Sequence, residues 1–189
     1  MNVRIDVSNI RLESKRLILR AFQKEDLEDF YSYAKVPGVG EMAGWSHHQS
    51  KEESKKILDL FMEEKKTFAI LDKASKKVIG SLGLESYHEK DFQDYQNQRG
   101  VELGYVLSKE YWGRGLMPEA VKRVIEYLFE EQKLDFITCS HFLSNSQSRR
   151  VIEKSGFQFV CESEFEGKIG KFKSLLYIIK KEEYQNGKI

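Results

Sequence analysis

One stretch decides how we expect the chain to fold: ELGYVL at residues 102–107, followed by WGRGLMPEA at residues 112–120. The first string predicts a strand, and the second predicts a glycine-containing turn that opens an amphipathic helix. The free backbone N–H groups and the positive dipole end of such a helix suit a phosphate or pyrophosphate. Gly113 and Gly115 let the backbone approach a ligand closely, and Arg114 adds a cation. The segment therefore predicts an anion site at the start of this helix.

The same pattern, taken alone, is also typical of an ordinary tight turn between a strand and a helix. A dinucleotide-binding fold would need G-x-G-x-x-G/A spacing and an acidic residue after the next strand. A P-loop would need a lysine followed by serine or threonine, which this turn lacks. These mismatches disfavour a dinucleotide-binding oxidoreductase and favour another phosphate-bearing cofactor.

The flanking sequence predicts a mixed α/β (α+β) chain. Alternation and apolar runs predict strands over 16–22, 67–71, 78–87, 101–107, 136–141, 157–165 and 171–179. Helical spacing predicts one helix over 26–35, a second that begins near residue 50, a third over 119–132 and a short fourth that stops at Gly156. The order β-α-α-β-β-β-α-β-α-β-β gives about seven strands, mostly antiparallel with parallel crossovers near the middle. Because no repeat or Pro/Gly-rich linker interrupts it, residues 1–189 are expected to form a single domain.

Bulk properties restrict the partners and the location. Hydrophobic residues make up 40% of the 189 residues, charged residues 32%, and the formal net charge is +1. Neither nucleic acid nor an anionic membrane is therefore an expected partner. No apolar run approaches the ~20 residues that span a bilayer, and the first residues lack the apolar core of a secretory signal. Cys139 and Cys161 are expected to be buried packing residues, with a disulfide as the less favoured alternative, and the cytoplasm is the expected location.

Three spaced motifs resemble the GNAT superfamily of acetyltransferases. The run WGRGLM at 112–117 resembles its acetyl-coenzyme A signature Q/R-x-x-G-x-G/A, with Trp112 and Met117 departing from the consensus. The start LESKRLILR at 12–20 and the block NSQSRRVIEKSGF at 145–157 are similar to motifs of the ribosomal-protein-alanine N-acetyltransferase branch (RimJ/RimL-like). On these motifs the chain is identified as a member of that superfamily, over roughly residues 12–179.

The resemblance implies the GNAT fold, with helices on both faces of the sheet and two central parallel strands that splay apart. It implies that the pantetheine arm of acetyl-coenzyme A lies in the gap and pairs with the main chain of Val106 and Leu107. It also implies that Asn145 hydrogen-bonds this arm from the other side. The pyrophosphate is assigned to the backbone amides of Gly113, Arg114, Gly115, Leu116 and Met117. The implied reaction is transfer of an acetyl group to an amine.

The implied reaction needs a base, because a protonated amine is not a nucleophile. Glu102 is the first candidate, directly or through water, with Glu85 and His141 as alternatives on neighbouring strands. The alternative for Glu102 is a solvent-facing strand carboxylate. The carbonyl oxygen gains charge during the reaction, and the backbone N–H of Leu107 is expected to hold it.

A proton donor for the leaving sulfur is the second expected group. Many members of the superfamily carry a tyrosine acid in the helix before Gly-Phe, where this chain has Ile152. Ser148 is the candidate that the ribosomal-protein branch offers instead. Its alternative role is that of a helix-start serine that satisfies a backbone N–H.

The acceptor side is expected in the loop EMAGWSHH at 41–48. Trp45 is a candidate wall of the acceptor site, or alternatively packs against the second helix. Glu85 is a second candidate for contact with the acceptor. His47 and His48 are adjacent, but no further ligands stand at zinc-like spacing, so no metal is expected.

Two function classes follow from the resemblance. The first is an N-acetyltransferase that joins acetyl-coenzyme A and a small-molecule or peptide amine by direct attack in a ternary complex. The second is a non-catalytic acyl-coenzyme A binding protein that uses the same cleft. The closing hairpin over 157–179 also offers a strand edge for a homodimer.

Overall fold

The computed structural model describes residues 1–167 and 170–187, in which eight strands form one sheet. The strands are β1 (Arg11–Glu13), β2 (Leu17–Ala21), β3 (Thr67–Asp72), β4 (Val78–Glu85), β5 (Gly100–Leu107), β6 (Phe136–Phe142), β7 (Gln158–Gly167) and β8 (Gly170–Lys180). Their order across the sheet is β1-β2-β3-β4-β5-β6-β8-β7. Only β5 and β6 are parallel neighbours among these strands.

Helices cover both faces of the sheet. They are α1 (Leu27–Ala34), α2 (Lys51–Glu64), α3 (Leu116–Glu130), α4 (Ser146–Lys154) and α5 (Lys181–Gln185). Helix α2 is capped at its start, since the Ser50 hydroxyl accepts the backbone N–H of Glu53 at 3.1 Å. Gly156 follows α4 with a φ of 88°, a left-handed conformation that ends the helix.

Apart from a minor cluster around Phe136, two apolar cores lie on the two faces of the sheet. The larger core joins the sheet to α3 and α4, and Leu103 and Leu107 of β5 belong to it. The smaller core joins the sheet to α1 and α2, and Val106 packs against it. Because strand side chains alternate between faces, Glu102 lies on the same face as Val106.

The parallel pair at the centre of the sheet is short. Residues 100–103 of β5 pair with residues 136–139 of β6, and no further pairs join these two strands in the described chain. Beyond that point β5 stays with β4 up to Leu107, whereas β6 stays with β8 up to Phe142. The two strands therefore diverge, as the GNAT fold predicts, and leave a gap between them.

Several details differ from the sequence prediction. Eight strands are present instead of about seven, because the three-residue β1 is too short to show an alternating pattern. Helix α3 begins at Leu116 rather than near residue 119, and the short α5 follows β8 without a break. Cys139 is buried as expected, but Cys161 is partly exposed, and both are free thiols. The tip of the closing hairpin, residues 168 and 169, lies outside the described residues.

None of the helices in the described part of the chain has the length and apolar character that crossing a membrane requires.

Candidate active site

The gap between β5 and β6 opens into a cleft of about 580 Å³, a size typical of small-ligand sites. One end, here called the phosphate end, is formed by the turn 113–117 at the start of α3. The opposite end, here called the carboxylate end, is lined by Glu85 and Glu102, which pair across β4 and β5 at the end of their register far from Leu107. The strand β5 and the start of α4 form the walls between the two ends.

The turn at the phosphate end owes its shape to two glycines. Gly113 has a φ of 75° and Gly115 a φ of 71°, a left-handed region that side-chain-bearing residues rarely adopt. A Cβ atom at Gly113 would meet no atom within 4 Å, so the space beside the turn is open. Gly115 is the N-cap of α3 and offers no side-chain cap, so the N–H groups of Leu116 and Met117 have no partner within the helix. These donors suit an anion.

Arg16 holds this turn in place. Its guanidinium donates to the carbonyl oxygens of Arg114 at 2.9 Å and Gly115 at 3.2 Å, and Nε lies 2.6 Å from a carboxylate oxygen of Glu119. The other Glu119 oxygen accepts from the Ser14 hydroxyl and from the Arg16 backbone N–H, each at 2.7 Å. Burial acts to raise the pKa of Glu119, but these hydrogen bonds outweigh it and lower the pKa. Two motifs that the sequence showed separately are therefore in direct contact.

Aromatic residues tie the turn to the end of β5. The Trp112 indole N–H donates to the carbonyl oxygen of Leu107 at 2.7 Å. The Arg114 guanidinium lies 5.1 Å from the centre of the Tyr111 ring, a cation–π contact. The Arg114 side chain is not part of the cleft lining, although Val106 and Leu107 are. The main chain, rather than the Arg114 cation, therefore faces the cleft at this end.

Glu102 lies inside the cleft and not on a solvent-facing surface of the strand. The β4–β5 register runs from Gly80↔Leu107 to Glu85↔Glu102 without a shift, so no bulge changes its face. The Ser140 hydroxyl donates to Glu102 Oε1 at 2.7 Å.

The surroundings of Glu102 change its acidity. Burial raises the pKa of Glu102, and the nearby carboxylates of Glu85 and Asp91 act in the same direction. The Ser140 hydrogen bond and His88 oppose this without cancelling it. A carboxylate with a raised pKa in a cleft is a typical arrangement for a general base.

The two alternative bases are less suitably placed. Glu85 lines the cleft opposite Glu102, but its carboxylate pairs with Lys66 at 2.7 Å and is about half exposed. His141 also lines the cleft, on the opposite face of the sheet. Its Nδ1 lies 2.8 Å from the carbonyl oxygen of Phe142, and its Nε2 lies 3.3 Å from the Tyr177 hydroxyl. Both ring nitrogens are therefore engaged.

The start of α4 brings Asn145 and Ser148 to the cleft wall. Asn145 caps the helix, because its Oδ1 accepts the Ser148 backbone N–H at 3.0 Å. Its Nδ2 donates to the carbonyl oxygen of Met42 at 3.1 Å, which links α4 to the 41–48 loop. The capping role considered for Ser148 thus belongs to Asn145. The Ser148 hydroxyl lies 3.0 Å from the hydroxyl of Tyr105 instead.

The structure places Trp45 outside the cleft lining. Its ring packs in the smaller core, so close to Gly40 that any side chain there would collide with it. The 41–48 loop lines the cleft with Met42 and Ala43 instead. The physical reason is that the bulky indole fills the apolar space above Gly40, which leaves the smaller neighbours at the cleft.

The two adjacent histidines each contact a residue close to them in the sequence. His47 Nδ1 lies 2.7 Å from Glu41, and His48 Nδ1 lies 2.6 Å from the Ser54 hydroxyl. Across residues 1–167 and 170–187, no three His, Cys, Asp or Glu side chains gather as they would around a metal ion.

Four groups at the cleft had no role assigned from sequence. They are Arg16, Tyr105, Ser140 and the pair Arg150 and Lys154, the last two on the cleft side of α4. The i, i+4 spacing of Arg150 and Lys154 was readable as one helix face. Ser140 required the β5–β6 register, which no local pattern gives.

Comparisons with known proteins agree with this geometry. The family model described as "Acetyltransferase (GNAT) domain" matches residues 16–158. The "Uncharacterized N-acetyltransferase YoaA" of Bacillus subtilis is 28% identical over 152 residues, which cover 78% of this chain and 82% of that protein. A solved GNAT-family acetyltransferase from Bacillus anthracis has a TM-score of 0.80 at 22% identity, covering 92% of this chain and all of the other.

A second solved structure carries a more specific title. The ribosomal-protein-S5-alanine acetyltransferase of Vibrio fischeri has a TM-score of 0.70 at 21% identity, covering 93% of this chain and 99% of the other. At such identities the two solved structures show the fold alone. Together with the family match, they confirm the resemblance inferred from the three motifs.

Proposed function

Because the chain belongs to the GNAT acetyltransferase family and is an acyltransferase, we propose that it transfers an acetyl group from acetyl-coenzyme A to a primary amine. One observation carries the proposal: the β5–β6 gap joins the uncapped start of α3 and the partly buried Glu102 in a single cleft. An anion-binding turn and a candidate base are both needed for this reaction. Their joint access to one cleft supports direct attack in a ternary complex.

The phosphate end fits the pyrophosphate of coenzyme A. The left-handed Gly113 and Gly115 shape the turn, and the N–H groups of Leu116 and Met117 are available to a negatively charged ligand. The edge of β5 beyond residue 103 is not paired with β6, which leaves the main chain of Leu107 available to pantetheine amides. The main chain of Val106 faces Ser81 of β4 instead, because the groups alternate and the next N–H, of Ser108, donates to Ile79 of β4. The Leu107 N–H would also hold the carbonyl oxygen as it gains charge.

In the proposed reaction, two side chains act from opposite faces of the sheet. The amine nitrogen attacks the thioester carbon, the carbon–sulfur bond breaks, and the sulfur takes the electron pair. Glu102 accepts the amine proton from the face of α1 and α2, while the Ser148 hydroxyl gives the leaving sulfur a hydrogen bond from the face of α4 and keeps its own hydrogen. No covalent enzyme intermediate is needed. Burial raises the pKa of the Cys139 thiol far above its usual range, so this cysteine is a poor nucleophile.

The acceptor is an amine that enters at the carboxylate end. Glu85 and Glu102, which pair across β4 and β5, line this end, and their carboxylates suit the positive charge of an amine before it loses its proton. Aromatic rings of Phe92 and Phe142 also line the cleft and offer apolar contact. A peptide N-terminus is one candidate, consistent with the ribosomal-protein acetyltransferase among the structural neighbours. A small-molecule amine is the other.

The test is coenzyme A release from acetyl-coenzyme A in the presence of an amine panel. The panel contains ribosomal N-terminal peptides, polyamines, amino acids and aminoglycosides, and acetylated products are identified by mass. We expect at least one amine to be acetylated, and Glu102→Gln to abolish most of that turnover while it still binds acetyl-coenzyme A. Glu162→Gln, an exposed glutamate of β7 outside the cleft, is the matched control. Tight cofactor binding without acetylation of any amine would instead support a non-catalytic acyl-coenzyme A binding protein.

A further inference from the structure

A contact between Tyr105 and Ser148 joins β5 to the start of α4 beside the cleft. The Tyr105 hydroxyl lies 3.0 Å from Ser148 Oγ and 3.3 Å from the Ser148 carbonyl oxygen. Tyr105 is on the face of the larger core and packs against it. Both residues line the cleft, between its phosphate and carboxylate ends.

The direction of the Ser148 hydroxyl matters for its proposed role. A serine hydroxyl has one hydrogen that rotates, so a neighbouring donor that occupies one of its lone pairs favours orientations in which that hydrogen points to another acceptor. The backbone N–H of Ser148 is already satisfied by Asn145 Oδ1, and the serine side chain is therefore not needed as a cap. The Tyr105 hydroxyl has a single hydrogen and two acceptors within reach, of which Ser148 Oγ at 3.0 Å is nearer than the Ser148 carbonyl oxygen at 3.3 Å; a hydrogen bond to Oγ occupies one of its lone pairs.

We propose that Tyr105 is a positioning residue that donates to Ser148 Oγ and so directs the Ser148 hydrogen toward the leaving sulfur. The inference rests on the proposed acetyl transfer. Tyr105 adds a hydrogen bond and no proton. When the carbon–sulfur bond breaks, the electron pair goes to sulfur, the amine proton goes to Glu102, and both hydroxyls keep their hydrogens.

The environment of Tyr105 keeps it a donor. Burial raises the pKa of Tyr105 well above its ordinary value, and the nearby Cys139 thiol acts in the same direction. The phenol therefore stays protonated throughout the working pH range. A hydrogen bond donated by Ser148 to the phenolate acts to lower the pKa of Tyr105 but does not reverse the shift.

The inference also explains how the fold works without a tyrosine on α4. Ile152 stands at the position of the superfamily's tyrosine acid, and its side chain is fully buried in the larger core. In this chain a phenol reaches the start of α4 from β5 instead. The donor at the sulfur is then a serine supported by a tyrosine, two residues that are 43 positions apart in the sequence.

A double-mutant cycle tests the inference. Tyr105→Phe, Ser148→Ala and the double variant are compared with the unaltered chain, using an amine that the panel identifies. If Tyr105 acts through Ser148, each single change lowers kcat about tenfold, and the double variant falls no more than about twofold below Ser148→Ala. The KM for acetyl-coenzyme A should change by less than about threefold, because no binding group is removed.

Tyr127→Phe is the matched control, since it also removes a buried phenol hydroxyl, one that bonds to Gln132 away from the cleft. It should lower the melting temperature about as much as Tyr105→Phe and leave kcat unchanged. Multiplying effects in the double variant, or a Tyr105→Phe variant with normal kcat, would overturn the inference while the acetyl transfer stands. If the unaltered chain acetylates no amine in the panel, the proposed function fails and the inference falls with it.

Discussion

The phosphate end of the cleft is built from backbone, whereas the carboxylate end is built from side chains. At the phosphate end, two left-handed glycines shape the turn and Arg16 holds it through main-chain carbonyl oxygens. At the carboxylate end, the proposed chemistry depends on Glu102, to which the Ser140 hydroxyl bonds. Changes at the first end should therefore weaken cofactor binding, and changes at the second should slow the reaction itself.

The largest effect is expected at the carboxylate end. Glu102→Gln keeps the size of the side chain and an acceptor for Ser140 but cannot take up a proton. We expect kcat to fall about 100-fold, within the range that general bases contribute, with the KM for acetyl-coenzyme A nearly unchanged. Steady-state kinetics with the identified amine would measure both constants. A kcat within about threefold of the unaltered chain would show that another group is the base.

A smaller effect, on the KM for acetyl-coenzyme A rather than on kcat, is expected at the phosphate end. Gly113→Ala places a Cβ in a left-handed turn at a cost of about 1–2 kcal/mol, so the KM for acetyl-coenzyme A should rise about tenfold. The acceptor KM should stay the same. Gly187→Ala is the matched control, because Gly187 has a φ of 67°, equally open space around its Cβ position and a place at the far end of the chain. If both variants bind acetyl-coenzyme A normally, the turn does not hold the pyrophosphate.

A change at Arg16, which holds the turn in place, should weaken acetyl-coenzyme A binding less than a change in the turn itself. Arg16→Lys keeps the charge but loses the planar fork that reaches the Arg114 and Gly115 carbonyl oxygens. We expect the KM for acetyl-coenzyme A to rise about fivefold, as the loss of a hydrogen bond or two would cause. Arg11→Lys is the control, since Arg11 forms an exposed pair with Glu13 in β1. An equal effect of both changes would show that Arg16 acts only through general stability.

The smallest effect concerns pH. Because the pKa of Glu102 is raised by burial, the acidic limb of kcat/KM should lie above 4.5, the ordinary value for glutamate, and should be lost in Glu102→Gln. The folded chain holds the Glu102 proton more tightly than the unfolded chain does. This stabilising contribution is therefore complete below pH 4.5 and is lost as the pH rises through the raised pKa.

Melting temperatures across pH check this sign. Glu102→Gln should melt slightly above the unaltered chain at neutral pH, and the difference should shrink as the pH falls toward 4.5. A variant that is less stable at neutral pH would show that the carboxylate is needed by the fold rather than tolerated for the reaction.

The contrast between the two ends also explains what the sequence could predict. The turn is local, so its glycines, the amphipathic helix and the Trp112–Met117 signature are readable along the chain. The order of elements followed from the same local patterns, apart from the short β1 and α5. The contacts of Glu102 with Ser140 and of Tyr105 with Ser148 join elements about 40 residues apart, and only the β5–β6 register and the placement of α4 beside β5 bring them together. The position of Trp45 could not be predicted from the sequence either, because it depends on the space above Gly40.

Direct attack within one cleft is the central claim, and initial rates measured over crossed concentrations of acetyl-coenzyme A and the identified amine test it most directly. If both substrates occupy the cleft together, double-reciprocal plots should intersect, and protein incubated with labelled acetyl-coenzyme A alone should retain no label after denaturation. Parallel plots, with label on Cys139 or Cys161, would contradict the account and indicate a covalent acetyl-enzyme.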